Sequence, residues 1–197
     1  FLLVPIVLGV VADLGMSIMV TLTFMVFMLN IVFAITEKSN FHKLYGTLPI
    51  KQSSSILSRY LFSLIAIGIT AILSFAIFVI LSIITKSRID WIYGIQFLAL
   101  SILIAVLFIS VQYPFYFKFE YTKASIMAIL PYIVCFAIGI PLLNYFMNNQ
   151  NFYQHIISVV NYFNSNILVF FLMIFVLSFL AITGSYLLSK KIQKKEF

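Results

Sequence analysis

The chain consists of long apolar segments separated by short polar connections. A helix that crosses a hydrocarbon core of about 30 Å needs about 20 apolar residues, and its backbone groups pair within the helix itself. The continuous apolar runs lack the alternation that is typical of a membrane β-barrel. The pattern therefore predicts an all-α, polytopic membrane protein that forms a single transmembrane domain over residues 1–197. The six predicted spans cover about residues 1–12, 14–36, 54–85, 91–117, 124–147 and 167–189.

Two of the predicted spans have unusual lengths. Residues 1–12 are too few to cross a membrane, so we expect this first span to be the truncated end of a longer helix. Residues 54–85 would form a helix about 48 Å long at about 1.5 Å per residue. This length exceeds the membrane core, and we expect the first two turns of the third span to project into water.

The distribution of basic residues predicts the orientation. If the spans alternate in direction, Lys86 and Arg88 lie on one side and the other Lys and Arg residues lie on the opposite side. The positive-inside rule makes that basic side cytoplasmic, together with both termini. Tyr113 and Tyr116 lie near span ends, as expected for aromatic rings at the headgroup level. The residues on the basic side are Lys38, Lys43, Lys51, Arg59, Lys118, Lys123, Lys190, Lys191, Lys194 and Lys195.

Composition excludes several classes of protein. Apolar residues make up 63% of the chain and charged residues only 9%, whereas about 25% of residues are charged in a soluble domain. A soluble globular domain and a nucleic-acid-binding protein are therefore excluded. The net charge of +7 is explained by the topology, since the positive residues gather on one side of the membrane.

The connection at residues 37–53 is predicted to be cytoplasmic and partly helical. Phe41, Leu44, Tyr45 and Leu48 recur at helical spacing, and Pro49 ends the pattern. Two interpretations remain open for this short amphipathic helix. It either rests in the lipid headgroups or docks a cytoplasmic partner.

The connection at residues 148–166 is predicted to form a second amphipathic helix on the outer side. This helix could seal the bundle or take part in gating. Its predicted apolar face consists of Phe152, Ile156, Val159, Val160 and Phe163.

The sequence lacks the common motifs of energy-converting chemistry. It contains no Gly-Lys dipeptide, and hence no phosphate-binding P-loop, and no His-Glu-x-x-His zinc motif. The predicted topology puts His42 and His155 on opposite sides, so they cannot share a metal. No Asp or Glu lies inside a predicted span, and Arg59 falls in the first two turns of the third span, which should project into water; this disfavours ion-driven transport. We expect no enzymatic activity and no cofactor in this chain, so another protein would have to drive any uphill transport.

Two stretches resemble the signature regions of the membrane-spanning subunit of ABC-2-type transporters. Glu37, Leu48-Pro49-Ile50-Lys51 and Arg59-Tyr60 are similar to the family's Glu, Leu-Pro-Ile-basic and Lys/Arg-Tyr elements. The stretch from Tyr113 to Lys123 resembles the family's Leu-Pro-Leu-x-Phe-Lys-Phe-Gly-x-x-Lys pattern, with Glu120 where the family often has Gly. The two stretches are similar to those of the bacterial exporters of phenol-soluble modulins, which are short amphipathic peptides.

The resemblance implies a permease with six spans in the bacterial cytoplasmic membrane. It implies a second permease subunit, identical or closely homologous, and a separate cytoplasmic ABC ATPase that binds ATP and Mg. The element at residues 38–50 would then be the coupling helix, and residues 148–166 would close the exit. The residues expected to couple to the ATPase are Glu37, Phe41, Lys43, Leu44, Tyr45, Leu48, Pro49, Ile50 and Arg59.

We expect two copies to enclose a transport path between their second and fifth spans. Phe27, Asn30, Pro131 and Pro141 are the candidate path residues, and each proline favours a kink in the fifth span. Apolar walls that include flexible Met side chains suit an amphipathic cargo. The predicted function is ATP-driven export of amphipathic peptides of the phenol-soluble modulin or antimicrobial type. A non-transporting scaffold or immunity subunit and a passive channel remain as alternatives.

Overall fold

A computed structural model describes residues 14–38, 52–84, 90–119 and 121–193. The secondary structure of these residues is entirely helical, which confirms the all-α prediction. Within them, five segments are long and apolar enough to cross a membrane. The predicted span at 1–12 and residues 39–51 of the predicted coupling element lie outside the described residues. The elements are α1 Leu14–Leu29, α2 Ile31–Lys38, α3 Gln52–Ile84, α4 Trp91–Lys118, α5 Tyr121–Val134, a π-helical turn Cys135–Gly139, α6 Ile140–Asn148, α7 Gln150–Ser165 and α8 Ile167–Gln193.

Helix α4 is the centre of the described bundle and packs against α1, α3, α5 and α8. Two glycines permit this close packing. A Cβ atom on Gly15 would lie 2.9 Å from the Tyr93 hydroxyl, and one on Gly94 would lie 2.7 Å from the Phe78 ring. Because neither position has space for a side chain, glycine allows α1 and α3 to approach α4.

The two ends of the bundle differ in charge. At one end α2 and α4 finish and α3 and α5 begin, and every described lysine and arginine lies there. We call this the basic end. At the opposite end the Asp90 carboxylate accepts a hydrogen bond of 3.1 Å from the Tyr93 backbone N–H and caps α4. The arrangement agrees with alternating spans, and which end faces the cytoplasm stays a prediction.

The second predicted span is interrupted rather than continuous. Helix α1 ends at Leu29, and the Asn30 N–H donates to the Phe27 carbonyl at 3.3 Å, one residue short of the α-helical partner. Asparagine favours such a break because its side chain competes for backbone groups and its helix propensity is low. Hydrophobicity could not reveal this break, since the residues on both sides of it are apolar.

The prolines of the fourth and fifth spans occupy two kinds of position. Pro114 lies inside α4 and Pro131 lies inside α5, and neither ends its helix. In the fifth span α5 passes into the π-helical turn, and Pro141 lies at the start of α6. Since proline has no N–H to donate to the carbonyl four residues earlier, the wider turn accommodates it.

The outer surface of the bundle is strongly apolar. Helix α8 buries little of its length inside the chain, and Phe175 is 69% exposed. Exposed apolar surface of this extent indicates contact with lipid or another membrane chain. Helix α7 also exposes apolar residues, among them Phe152 and Val160. Its location at the outer membrane surface stays a prediction.

Candidate functional site

Arg59 joins three helices at the basic end. Its guanidinium carbon lies 4.8 Å from the ring centroid of Phe33 in α2 and 5.3 Å from that of Phe117 in α4. Cation–π contacts of this kind contribute about 0.5–2 kcal/mol, and more as the site becomes drier. Arg59 therefore forms part of the packing of the bundle base.

A hydroxyl network extends this junction to α8. The Tyr60 hydroxyl, in a side chain only 3% exposed, lies 2.6 Å from Ser185 Oγ and 2.9 Å from Ser189 Oγ. The hydroxyls of Ser63 and Tyr113 form a third hydrogen bond, which joins α3 to α4. Hydrogen bonds between membrane helices contribute about 0.6 kcal/mol on average, and these hold α3, α4 and α8 together.

Stacked aromatic rings complete the junction. The Phe33 ring stacks on Tyr116 at 4.6 Å and meets the edge of Tyr113 at 5.0 Å. Tyr116 in turn stacks on Tyr121, the first residue of α5, at 5.9 Å. Aromatic pairs add about 0.5–1.5 kcal/mol each beyond their buried area. We call the whole group the basal cluster, and its members are Phe33, Arg59, Tyr60, Ser63, Tyr113, Tyr116, Phe117, Ser185 and Ser189.

The position of the basal cluster relates it to the predicted coupling element. Helix α2 ends at Lys38 and α3 begins at Gln52, so Phe33 and Arg59 flank residues 39–51 from both sides. Of the predicted coupling residues, those from Phe41 to Ile50 lie outside the described residues. Glu37 lies in α2, where the structure describes its backbone.

One of the four predicted path residues, Phe27, contacts α5, and Asn30 and Pro131 lie near this contact along the chain. The Phe27 ring, 46% exposed, meets the edge of Tyr132 at 6.5 Å. Pro131 precedes Tyr132 in α5, and Asn30 is buried at the break that follows α1. Pro141 is not part of this group, since the described contacts of α6 are with the π-helical turn and α7.

Sequence reasoning missed most of the basal cluster. Tyr60 appeared only as half of the Arg59-Tyr60 pair, and Tyr113 and Tyr116 only as aromatic residues near span ends. Their spacing gave no sign that the hydroxyl of Tyr60 would meet Ser185, which lies far along the chain. Such a pairing depends on the packing of α3 against α8 and has no local signal.

Within the described residues, no group of three or more His, Cys, Asp or Glu residues could hold a metal ion.

Comparisons with known proteins identify the family. The searches of curated proteins and of solved structures gave no match. A family model described as an ABC-2 family transporter protein matches residues 1–194. Members of that family are membrane transport components without catalytic activity of their own, and in general they work with an ATPase. The chain is a multi-pass membrane protein that belongs to the ABC-2 family of transporter proteins.

Proposed function

We propose that this chain is the permease subunit of an ATP-driven exporter that moves amphipathic peptides out of a bacterial cell. A separate cytoplasmic ATPase would bind ATP and Mg and dock on the coupling element at residues 37–53. The family supports the permease role and, in general, an ATPase partner. The single observation that carries the proposal is the basal cluster, since it connects both ends of this element to the bundle.

The basal cluster offers a route for mechanical coupling. A displacement of the coupling element pulls on α2 through Phe33 and on α3 through Arg59, which are joined by their cation–π contact. Phe117 carries this displacement to α4, and the hydrogen bonds of Tyr60 carry it to α8. Helix α3 has 33 residues and is therefore about 50 Å long, long enough to act as a lever.

The contact between α1, α2 and α5 suits the predicted path. One side of this contact is interrupted at Asn30, and on the other side Pro131 lies inside α5 and removes one of its backbone hydrogen bonds, so bending costs less there than in a regular helix. Phe27 is exposed beside the half-buried Tyr132, so a second permease subunit facing it would complete apolar walls. Such walls favour the apolar face of an amphipathic peptide, of the phenol-soluble modulin or antimicrobial type.

The docking claim is tested with a double variant of the coupling element. Phe41→Asp with Leu48→Asp should leave membrane insertion intact but abolish co-purification of the ATPase and peptide export. The control is Ser54→Asp with Ser58→Asp, which adds the same charge to exposed positions of the first turns of α3 and should preserve both. Unchanged ATPase binding and export in the first variant would remove the docking claim.

The same preparation separates the export function from its alternatives. Amphipathic peptide should stimulate ATP hydrolysis by the complex, whereas a scaffold or immunity subunit would bind the ATPase without this response. Ion conductance by the chain alone, with no ATPase present, would favour a passive channel.

A further inference from the structure

An apolar groove opens between α3 and α4 on the outside of the described bundle. One wall runs from Gly68 to Phe75 on α3, and the other runs from Ile95 to Ile102 on α4. The groove has a volume of about 390 Å³, within the range of about 300–1,000 Å³ that is typical of small-molecule sites. The described residues that line it are all Gly, Ala, Ile, Leu or Phe, so they offer a ligand no polar side chain.

Contacts between α3 and α4 bound the groove at both ends. Towards the basic end, the hydroxyls of Ser63 and Tyr113 form their hydrogen bond. Towards the other end, the Phe78 ring packs so closely on Gly94 that a Cβ atom there would lie 2.7 Å from it. Between these contacts, nothing in the described chain lies within 4 Å of the place where Gly68 would carry a Cβ atom. The two helices therefore leave a gap that opens sideways.

The groove lies within the membrane-spanning part of both helices. Segments of α3 and α4 are long and apolar enough to cross a membrane. Trp91 is the first residue of α4, and tryptophan favours the headgroup level. From Trp91 to Ile102, α4 rises about 16 Å at about 1.5 Å per residue. Half of a hydrocarbon core of about 30 Å is about 15 Å, so the groove extends through the depth of one leaflet.

The size of the groove favours a flexible chain over a helix. A helical segment about 16 Å long and about 10 Å wide would fill about 1,250 Å³, which is roughly three times the volume of the groove. An empty groove would deprive the atoms that line it of dispersion contacts. An extended hydrocarbon chain is narrow enough to restore these contacts along both walls.

We propose that the groove between α3 and α4 binds one acyl chain of a membrane phospholipid from the leaflet at the Trp91 end. The chain lies along the helix axes, with its headgroup at the level of Trp91. Van der Waals contacts hold it, because the groove and the surrounding lipid are equally apolar. Binding therefore depends on the length of the acyl chain, and it requires neither the ATPase nor the cargo of the proposed exporter.

The experiment counts the phospholipid molecules on the chain by native mass spectrometry. The chain is purified in detergent and titrated with phosphatidylcholine that carries either hexadecanoyl or octanoyl chains. The long-chain lipid should bind saturably, with one molecule per chain. The short-chain lipid should bind about tenfold more weakly, because it leaves the lower part of the groove without contacts.

Glycine-to-leucine variants supply a matched pair. Gly68→Leu puts a side chain into the groove and should weaken binding of the long-chain lipid about tenfold, because both compete for the same space. Gly184 in α8 is also exposed, with nothing within 4 Å of a new Cβ atom. Gly184→Leu should therefore leave binding unchanged, and helical circular dichroism should show that both variants are folded.

Trp91 provides a second measurement, since it is the single tryptophan of the sequence. Its ring lies 6.3 Å from that of Phe75, at one end of the groove. In detergent, a long-chain phosphatidylcholine brominated in the upper half of its chains should quench Trp91 fluorescence at one lipid per protein. The quenching should persist in Gly184→Leu and be lost in Gly68→Leu.

Two results would overturn the acyl-chain site. One is equal binding of the two lipids, and the other is equal affinity for the long-chain lipid in Gly68→Leu and Gly184→Leu. If Gly68→Leu converts a dimer into a monomer without losing lipid, the same mass spectra would assign the groove to a second copy of this chain instead.

Discussion

The hydrogen bonds between Tyr60 and α8 give the sharpest test of the basal cluster. Tyr60→Phe keeps the buried ring but removes the hydroxyl that meets Ser185 at 2.6 Å and Ser189 at 2.9 Å. Hydrogen bonds between membrane helices contribute about 0.6 kcal/mol on average and up to about 1.7 kcal/mol. Losing both should therefore lower the free energy of unfolding by about 1–2 kcal/mol.

The unpaired serines should not add much to this loss. A serine hydroxyl in a helix can donate to the carbonyl four residues earlier, as Ser63 does to the Arg59 carbonyl at 2.7 Å. Ser185 and Ser189 can adopt the same bond once the Tyr60 hydroxyl is absent. The measured change should therefore report the loss of the connection between α3 and α8 rather than an unpaired group.

The assay has a stability arm and a coupling arm. Stability is measured by titrating the chain in mixed micelles with sodium dodecyl sulphate and following helical circular dichroism. Coupling is measured as the peptide-stimulated ATP hydrolysis of the complex with its ATPase, and Tyr60→Phe should reduce this stimulation several-fold. In a Ser185→Ala, Ser189→Ala background, Tyr60→Phe should cause no further change, as expected for a shared interaction.

Tyr186→Phe is the matched control. The Tyr186 ring lies edge-on to Tyr60 at 6.1 Å, and its hydroxyl forms no hydrogen bond with the described residues. The same chemical change should therefore leave stability and coupling near those of the unaltered protein. If Tyr60→Phe and Tyr186→Phe behave alike in both arms, the hydroxyl network does not connect α3 to α8, and the coupling route is refuted.

Further predictions concern packing and the cation–π junction. Gly94→Ala puts a Cβ atom 2.7 Å from a ring and should lower the free energy of unfolding by about 1–3 kcal/mol. At Gly68 nothing lies within 4 Å of the new Cβ atom, so Gly68→Ala should raise the free energy of unfolding by about 0.5–1 kcal/mol. If both variants change the free energy of unfolding equally in the detergent titration, the packing of α3 on α4 is contradicted. Arg59→Lys keeps the charge but loses the planar group between two rings. It should reduce peptide-stimulated ATP hydrolysis several-fold with unchanged membrane insertion, and full activity would exclude a role for the stacked guanidinium.

Long apolar runs were sufficient to predict the fold class, because a membrane requires continuous apolar helices. The α3 helix, for example, covers nearly all of the run predicted at residues 54–85. The break at Asn30 was not predicted, since a hydropathy profile averages over many neighbouring residues and one polar residue hardly changes that average. The backbone geometry there depends on local hydrogen bonding, which a hydropathy pattern does not contain.

The candidate site was less predictable than the fold. Of the path residues chosen from the sequence, Phe27 contacts the ring of Tyr132 and Asn30 is buried, and their role in a transport path stays a prediction. Gln112 was not chosen, although its side chain is fully buried and donates a hydrogen bond of 3.1 Å to the Ala128 carbonyl. Its significance comes from the α5 carbonyl that it contacts, and this pairing is determined by the packing of two helices.

The most direct test of the account is export into sealed vesicles. The chain and its ATPase are reconstituted together, and the uptake of a fluorescent amphipathic peptide is followed with ATP or with a non-hydrolysable analogue outside. We predict uptake that requires ATP hydrolysis and disappears when either protein is omitted. Equal uptake with the analogue, or ATP-driven uptake by the chain without the ATPase, would contradict a permease that receives its force through the basal cluster.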